Sequence, residues 1–151
     1  MLKVGDKAPA FEARGSDGRT LTPELLRGKP YVLYFFPKSF TPGCTIETKA
    51  FRDAYPELSQ LGVEVIGVSA DKHATQCDFA KSTGATFPMI GDHDGQLIER
   101  FDVKWPLFRR ALRVTYLIDG EGVVQGVFHH ELDMKKHVAQ VRAKLSDLGL
   151  R

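Results

Sequence analysis

Two apolar runs separated by one amphipathic stretch constrain the fold of this chain most. "YVLYFF" (31–36) and "VEVIGVS" (63–69) are rich in β-branched and aromatic residues, which is typical of strands that are buried on both faces. A strand–helix–strand unit has a right-handed crossover, so the two strands are predicted to be parallel. Between them a helix is predicted from Pro42 to about Gln60, because apolar residues recur at helical spacing, at Ile46, Ala50, Phe51, Ala54 and Leu58.

The other segments extend this unit into a mixed sheet. The further predicted elements are a β-hairpin at 11–22, a polar helix at about 72–82, a short helix at 96–103, two antiparallel strands at 113–119 and 123–128, and a last helix at about 133–148. We therefore expect an α/β, thioredoxin-like fold with a mixed central sheet, helices on both faces and an N-terminal β-hairpin. No repeat or linker interrupts the sequence, so we expect a single domain over residues 1–151.

Composition argues against several classes of partner. The chain has 21 Lys and Arg and 19 Asp and Glu, a formal net charge of +2, which is too small to indicate nucleic-acid binding. No segment approaches the ~18 uninterrupted apolar residues of a membrane span, and "MLKVGDKAPAFEARG" lacks the apolar core of a signal peptide. We therefore expect a cytoplasmic protein that binds neither nucleic acid nor membranes. The spacing of the histidines does not indicate a metal site.

"PKSFTPGC" (37–44) places one of the two cysteines at a predicted helix start. With Thr41 as N-cap, Pro42 and Gly43 take the first two helical positions and Cys44 the third. The helix dipole favours negative charge there, and the thiolate is the nucleophilic form of cysteine. We expect a reactive Cys44, with the Thr41 hydroxyl either capping the helix or pointing at the sulfur or its substrate. The alternative is that Cys44 only fills space as a small apolar residue.

The same stretch resembles the peroxiredoxin active-site pattern of Pro, three residues, Thr or Ser, two residues and Cys. "GDKAPAFE" (5–12), "TFPMIGDHDGQLIERFDV" (86–103) and "RVTYLIDGEGVV" (113–124) resemble, in the same order, the bacterioferritin comigratory protein (peroxiredoxin Q) class of that family. The resemblance implies a thiol-dependent peroxidase that reduces hydrogen peroxide and organic hydroperoxides and needs no metal or other cofactor.

The resemblance also implies a role for each residue of the site. Cys44 is the peroxidatic nucleophile and becomes a sulfenic acid. Arg113 stabilises the thiolate and the charge that develops on the leaving oxygen. Thr41 hydrogen-bonds the peroxide, and Pro37 forms a wall of the pocket.

The fate of the sulfenic acid depends on the second cysteine. Many members of the class carry a resolving cysteine five residues after the first, where this chain has Lys49. Others carry it on the helix that corresponds to 72–82, where Cys77 lies about one turn from the expected place. We expect an intramolecular Cys44–Cys77 disulfide that is reduced by a thioredoxin-type protein or a small thiol, in a monomer. A one-cysteine peroxidase resolved by an external thiol remains open, as does Cys77 as a small buried residue.

Two other functions fit the predicted fold less well. A dithiol oxidoreductase needs Cys-x-x-Cys, and position 47 is glutamate. A non-catalytic interaction module would use an apolar rim formed by Trp105, Leu107 and Phe108, but it has no use for a thiolate pocket. Glu47 itself either holds an arginine in place or forms a solvated salt bridge.

Overall fold

The computed structural model of the chain describes residues 1–107 and 110–149. The strands are β1 (Ala13–Arg14), β2 (Thr20–Leu21), β3 (Tyr31–Phe35), β4 (Glu64–Ser69), β5 (Met89–Gly91), β6 (Val114–Ile118) and β7 (Val124–His129). The helices are α1 (Pro23–Leu26), α2 (Pro42–Gln60), α3 (His73–Thr83), α4 (Gln96–Arg100) and α5 (Lys135–Asp147). No helix among these residues is long and apolar enough to cross a membrane. Phe108, which the sequence places in an apolar rim, lies outside the described residues.

Five strands form the central sheet in the order β5-β4-β3-β6-β7. The three strands β3, β4 and β5 are parallel neighbours, whereas β6 is antiparallel to both β3 and β7. The short strands β1 and β2 form a separate antiparallel hairpin near the N-terminus. The predicted mixed sheet and N-terminal hairpin are therefore confirmed.

Strand β3 divides the apolar interior into two cores because its side chains alternate between the two faces of the sheet. Tyr31, Leu33 and Phe35 belong to one core, together with residues of α1 and α4. Val32 and Tyr34 belong to the other, with residues of α2, α3 and α5. Helices thus cover both faces, as predicted, and all five residues of β3 are buried.

Helix α2 has the predicted bounds and buries Phe51, Ala54 and Leu58 as predicted, but its first two turns bury different residues. Ile46, predicted to be an inward apolar position, is 45% exposed. The buried residues in the first two turns are instead Cys44, Glu47 and Thr48. Polar side chains can be buried here because they find partners: the Thr48 and Tyr34 hydroxyls lie 3.0 Å apart. An apolar pattern cannot reveal a helix face that is buried through polar pairs.

Candidate active site

Cys44 lies at the carboxyl end of the central strand. Helix α2 follows β3 after a six-residue loop, residues 36–41, here named the Cys44 loop. Pro42 is the first residue of α2, so Cys44 is the third, and its side chain is fully buried. The carboxyl ends of parallel strands are where open α/β sheets commonly bind ligands. The Cys44 sulfur therefore lies at the positive end of the helix dipole and at the edge of the sheet where ligands commonly bind.

Arg113 reaches the same edge of the sheet from 69 residues farther along the chain. It immediately precedes β6, whose first residue, Val114, pairs with Phe35 at the end of β3. The antiparallel register therefore brings the start of β6 beside the start of α2. Arg113 Nη1 lies 3.3 Å from Cys44 Sγ, within hydrogen-bond distance for sulfur.

Three further hydrogen bonds hold Arg113 in place. Its Nη1 donates to Glu47 Oε1 at 3.1 Å, and its Nε donates to the Glu131 backbone carbonyl at 3.2 Å. Its backbone N–H donates to Glu131 Oε2 at 2.9 Å. Gly43 leaves room for the guanidinium, because a Cβ there would lie only 3.2 Å from Arg113 Nη2. The planar fork of arginine is thus oriented toward the sulfur by fixed acceptors.

Glu47 forms a buried ion pair with Arg113 and has no exposed surface. The solvated salt bridge considered for Glu47 is therefore wrong. Burial raises the pKa of Glu47, and the adjacent Arg113 guanidinium opposes this rise. Burial lowers the pKa of Arg113, but Glu47 and Cys44 raise it by more, so Arg113 remains charged. The guanidinium is the permanent positive charge beside the thiol.

The Thr41 hydroxyl does not cap the helix. Thr41 occupies the N-cap position of α2, but its side chain makes no hydrogen bond to the first turn. It donates instead to the Lys38 carbonyl at 2.7 Å. With its proton so engaged, Oγ1 presents lone pairs that can accept a hydrogen bond from a bound molecule. Pro37, half-buried at the start of this segment, has no N–H to donate.

Cys77 lies outside this cluster. It is half-buried on α3, with Sγ 3.4 Å from His73 Nε2, and both cysteines are free thiols. Phe79 on the same helix packs against Phe36 and Phe40 of the Cys44 loop. Two residues of helix correspond to a rotation of about 200°, so Cys77 projects from the face of α3 opposite to Phe79.

The loop between β7 and α5 supplies residues that the sequence analysis did not identify. Glu131 provides two of the acceptors around Arg113. A Cβ on Gly43 would lie 3.3 Å from Met134 Cε, which places this side chain against the start of α2. The stretch "HHELDM" (129–134) carries no local signature of a site. Among the described residues, no three or more His, Cys, Asp or Glu side chains are grouped so as to hold a metal ion.

Comparison with known proteins places these residues in a well-populated family. The family model described as AhpC/TSA matches residues 4–127. A chloroplastic peroxiredoxin Q of Populus jackii is 34% identical over 148 residues, covering 97% of this chain and 70% of that protein. A putative peroxiredoxin bcp of Coxiella burnetii is 35% identical over 150 residues, covering 95% of this chain and 99% of that protein. The crystal structure of peroxidoxin BcpB from Mycobacterium tuberculosis has a TM-score of 0.91 and 30% identity, covering 98% of this chain and 99% of that one.

Proposed function

The chain belongs to the AhpC/TSA family, and we propose that its thiol peroxidase reaction proceeds by attack of the Cys44 thiolate on a hydroperoxide. The sulfur forms a bond to one peroxide oxygen while the O–O bond breaks. The leaving oxygen departs with the electron pair and takes up a proton, giving water from hydrogen peroxide or an alcohol from an organic hydroperoxide. The sulfur is oxidised to a sulfenic acid. The observation that carries the proposal is the 3.3 Å contact between Arg113 Nη1 and Cys44 Sγ at the first turn of α2.

Arg113 and the helix start supply the electrostatic stabilisation. The guanidinium stabilises the thiolate before attack and the negative charge on the leaving oxygen afterwards. Backbone N–H groups in the first turn of a helix lack intrahelical partners, so those of Gly43 and Cys44 can be directed at the peroxide. Thr41 Oγ1 accepts the peroxide O–H and orients the O–O bond toward the sulfur. Pro37 forms a wall that offers no competing donor.

An exposed apolar side chain next to the site favours organic hydroperoxides as substrates alongside hydrogen peroxide. Phe40, immediately before Thr41, is 53% exposed. An alkyl group bound beside the peroxide would cover such surface and gain from its removal from water.

Replacement of Cys44 tests the peroxidase reaction directly. Cys44→Ser should abolish the consumption of hydrogen peroxide and cumene hydroperoxide with dithiothreitol as reductant. Cys77→Ser is the matched control, because it removes the other thiol while Cys44 still forms a sulfenic acid. Most of the activity persisting in Cys44→Ser would contradict the proposal.

We further propose that Cys77 resolves the sulfenic acid by forming a disulfide with Cys44, which releases water. Because Cys77 projects away from the Cys44 loop, α3 has to unwind locally before the two sulfurs meet. The half-buried position of Cys77 on a short helix of 11 residues supports such an opening. A disulfide formed in this way would be strained and easily reduced, which suits a thioredoxin-type protein or a small thiol as reductant.

Peptide mapping distinguishes this route from resolution by an external thiol. One equivalent of peroxide should produce a Cys44–Cys77 disulfide that mass spectrometry detects in non-reduced peptides. A lasting Cys44 sulfenic acid with free Cys77 would instead identify a one-cysteine peroxidase that is resolved by an external thiol.

The reduced state of both thiols depends on the cellular compartment. We expect the protein to act as a monomer in the cytoplasm, where thiols are kept reduced and both cysteines stay available for the cycle. Sedimentation of the reduced and the oxidised protein would test the oligomeric state.

A further inference from the structure

The Cys44 loop is attached to α3 by side chains on either side of Cys77, and we propose that Gln76 is a positioning residue for this loop. Gln76 acts through Ser39, and so through the loop, on Thr41 and Cys44. The inference rests on the peroxidase function proposed above. In this view α3 holds the Cys44 loop in place during attack on the peroxide, and it also carries Cys77, the residue proposed to resolve the sulfenic acid.

Ser39 and Gln76 form a buried hydrogen-bonded link between the loop and the helix. Ser39 Oγ donates to Gln76 Oε1 at 2.5 Å, and Gln76 Nε2 donates to the Ile90 carbonyl at 2.9 Å. Ser39 is 3% exposed and Gln76 is 0% exposed. The Ser39 backbone N–H also donates to Asp71 Oδ2 at 2.7 Å. Both ends of the Gln76 amide are thus satisfied, so its position between β5 and the loop is well defined.

The next residue of the loop has a backbone conformation that needs this support. Phe40 has φ +67°, in the left-handed region that a bulky residue rarely adopts. Such a conformation persists only where the surrounding contacts enforce it. The contacts are the Ser39–Gln76 bond on one side and the edge-on packing of Phe40 against Phe79 on the other, with ring centroids 5.2 Å apart.

Thr41 follows Phe40 directly, so the orientation of its hydroxyl depends on this conformation. If the Ser39–Gln76 bond is lost, Phe40 can relax toward an ordinary φ and carry Thr41 away from Cys44. The two anchors on α3 lie on either side of Cys77. Unwinding of α3 to bring Cys77 toward the sulfenic acid would therefore release the loop as well. Attack on peroxide accordingly requires a folded α3.

Two variants that break the Ser39–Gln76 bond, here named the linking variants, and one control test this role. Ser39→Ala removes the hydroxyl, and Gln76→Met replaces the amide with an apolar side chain of similar size. Thr83→Val is the control, because the hydrogen bonds of the Thr83 hydroxyl among the described residues lie within α3, to the Phe79 and Ala80 carbonyls. The measured quantity is the rate constant of sulfenic acid formation at Cys44 with hydrogen peroxide.

We expect each linking variant to lower this rate constant about tenfold, the usual effect of leaving a buried polar group without its partner. The double variant should lose no more than the more impaired single variant, since both act through one bond. Thr83→Val should stay within about twofold of the wild type. Should Gln76→Met fail to fold, Ser39→Ala removes the same bond with a smaller change.

Alkylation of Cys44 by iodoacetamide separates positioning from general destabilisation. This reagent needs the thiolate but no oriented O–O bond, so its rate should stay within about twofold in the linking variants. A loosened fold would expose the buried thiol and accelerate alkylation. Normal peroxide rates in both linking variants, or losses equal to that of Thr83→Val, would overturn the inference. If the wild-type protein itself formed no sulfenic acid, the peroxidase function would fail and the inference with it.

Discussion

At the scale of single residues, Arg113 is the side chain on which the geometry of the site depends most. One nitrogen, Nη1, contacts both Cys44 Sγ and Glu47 Oε1, while Nε is tied to the Glu131 carbonyl. These directions diverge from a planar group, and a lysine ammonium cannot reproduce them from the same backbone position. A positive charge alone therefore cannot make the contacts of the guanidinium at position 113.

We expect Arg113→Lys to lower the rate constant of Cys44 oxidation by hydrogen peroxide about tenfold to a hundredfold, the range of a lost hydrogen bond to a charged group. The matched control is Arg142→Lys. Arg142 is exposed and paired with Glu57, so the same change there should leave the rate unaltered. Stopped-flow measurement with peroxide in excess gives both values. A normal rate in Arg113→Lys would mean that positive charge suffices.

At the scale of elements, the start of α2 combines helix formation with space for the site. Pro42 opens the helix without losing a hydrogen bond, and the glycine that follows admits Arg113 and Met134. A larger residue at position 43 would favour helix formation but would crowd the Arg113 and Met134 side chains. Local helix preference and the needs of the site therefore conflict at this position.

Gly43→Ala should reveal this conflict. The added methyl group would lie 3.2 Å from Arg113 Nη2 and 3.3 Å from Met134 Cε, so both side chains must move. We expect slower oxidation of Cys44 by peroxide, whereas the free energy of unfolding stays equal or rises by up to about 1 kcal/mol because alanine is the better helix former. Lys49→Ala, an exposed change on the same helix, is the control and should leave the peroxide rate unaltered. An unchanged rate in Gly43→Ala would show that Arg113 has room to adjust.

At the scale of the whole molecule, a buried histidine links the site to the stability of the fold. His137 is fully buried on α5; its Nδ1 lies 2.8 Å from Thr115 Oγ1 and its Nε2 lies 2.9 Å from the His130 carbonyl. Nε2 is also 3.4 Å from Glu47 Oε2. Burial lowers the pKa of His137 to about 4. The folded protein thus holds the ring neutral where an unfolded chain would protonate it.

The free energy of unfolding should therefore depend on pH through His137. Between about pH 4 and 6.5 the unfolded state binds more protons at this residue than the folded state, so stability falls as pH is lowered and is fully present above the unfolded pKa. In His137→Gln this contribution should vanish, and the difference in slope between the two proteins should approach about 1.4 kcal/mol per pH unit. Urea unfolding across this pH range measures it.

Glu47 contacts His137, but its raised pKa is caused by its own burial and is common to both proteins, so the difference in slope reports His137. His129→Gln, which changes a partly exposed histidine on the surface, is the matched control and should retain most of the wild-type slope. Equal slopes in His137→Gln and the wild type would contradict a buried neutral histidine.

Local patterns in the sequence were enough to predict most of the elements and the position of Cys44 in a helix, whereas its role as nucleophile rests on the family resemblance. Buried-strand composition identified β3 and β4, helical periodicity and Pro42 identified α2, and together they placed Cys44 in its first turn. The reason is that periodicity, proline and capping preferences act over a few residues. Arg113 came from the family resemblance alone, since nothing near it in the sequence indicates its contact with Cys44.

The partners of the Cys44 side chain depended on tertiary structure. Arg113 meets Cys44 through the antiparallel register of β3 and β6, and Glu131 comes from a loop with no signature of its own. Glu47 is buried rather than solvated, and Ile46 is exposed rather than buried, because an ion pair brought together across 66 residues selects the inward face of α2. Register and long-range pairing result from the packing of the whole sheet, which no short stretch of sequence encodes.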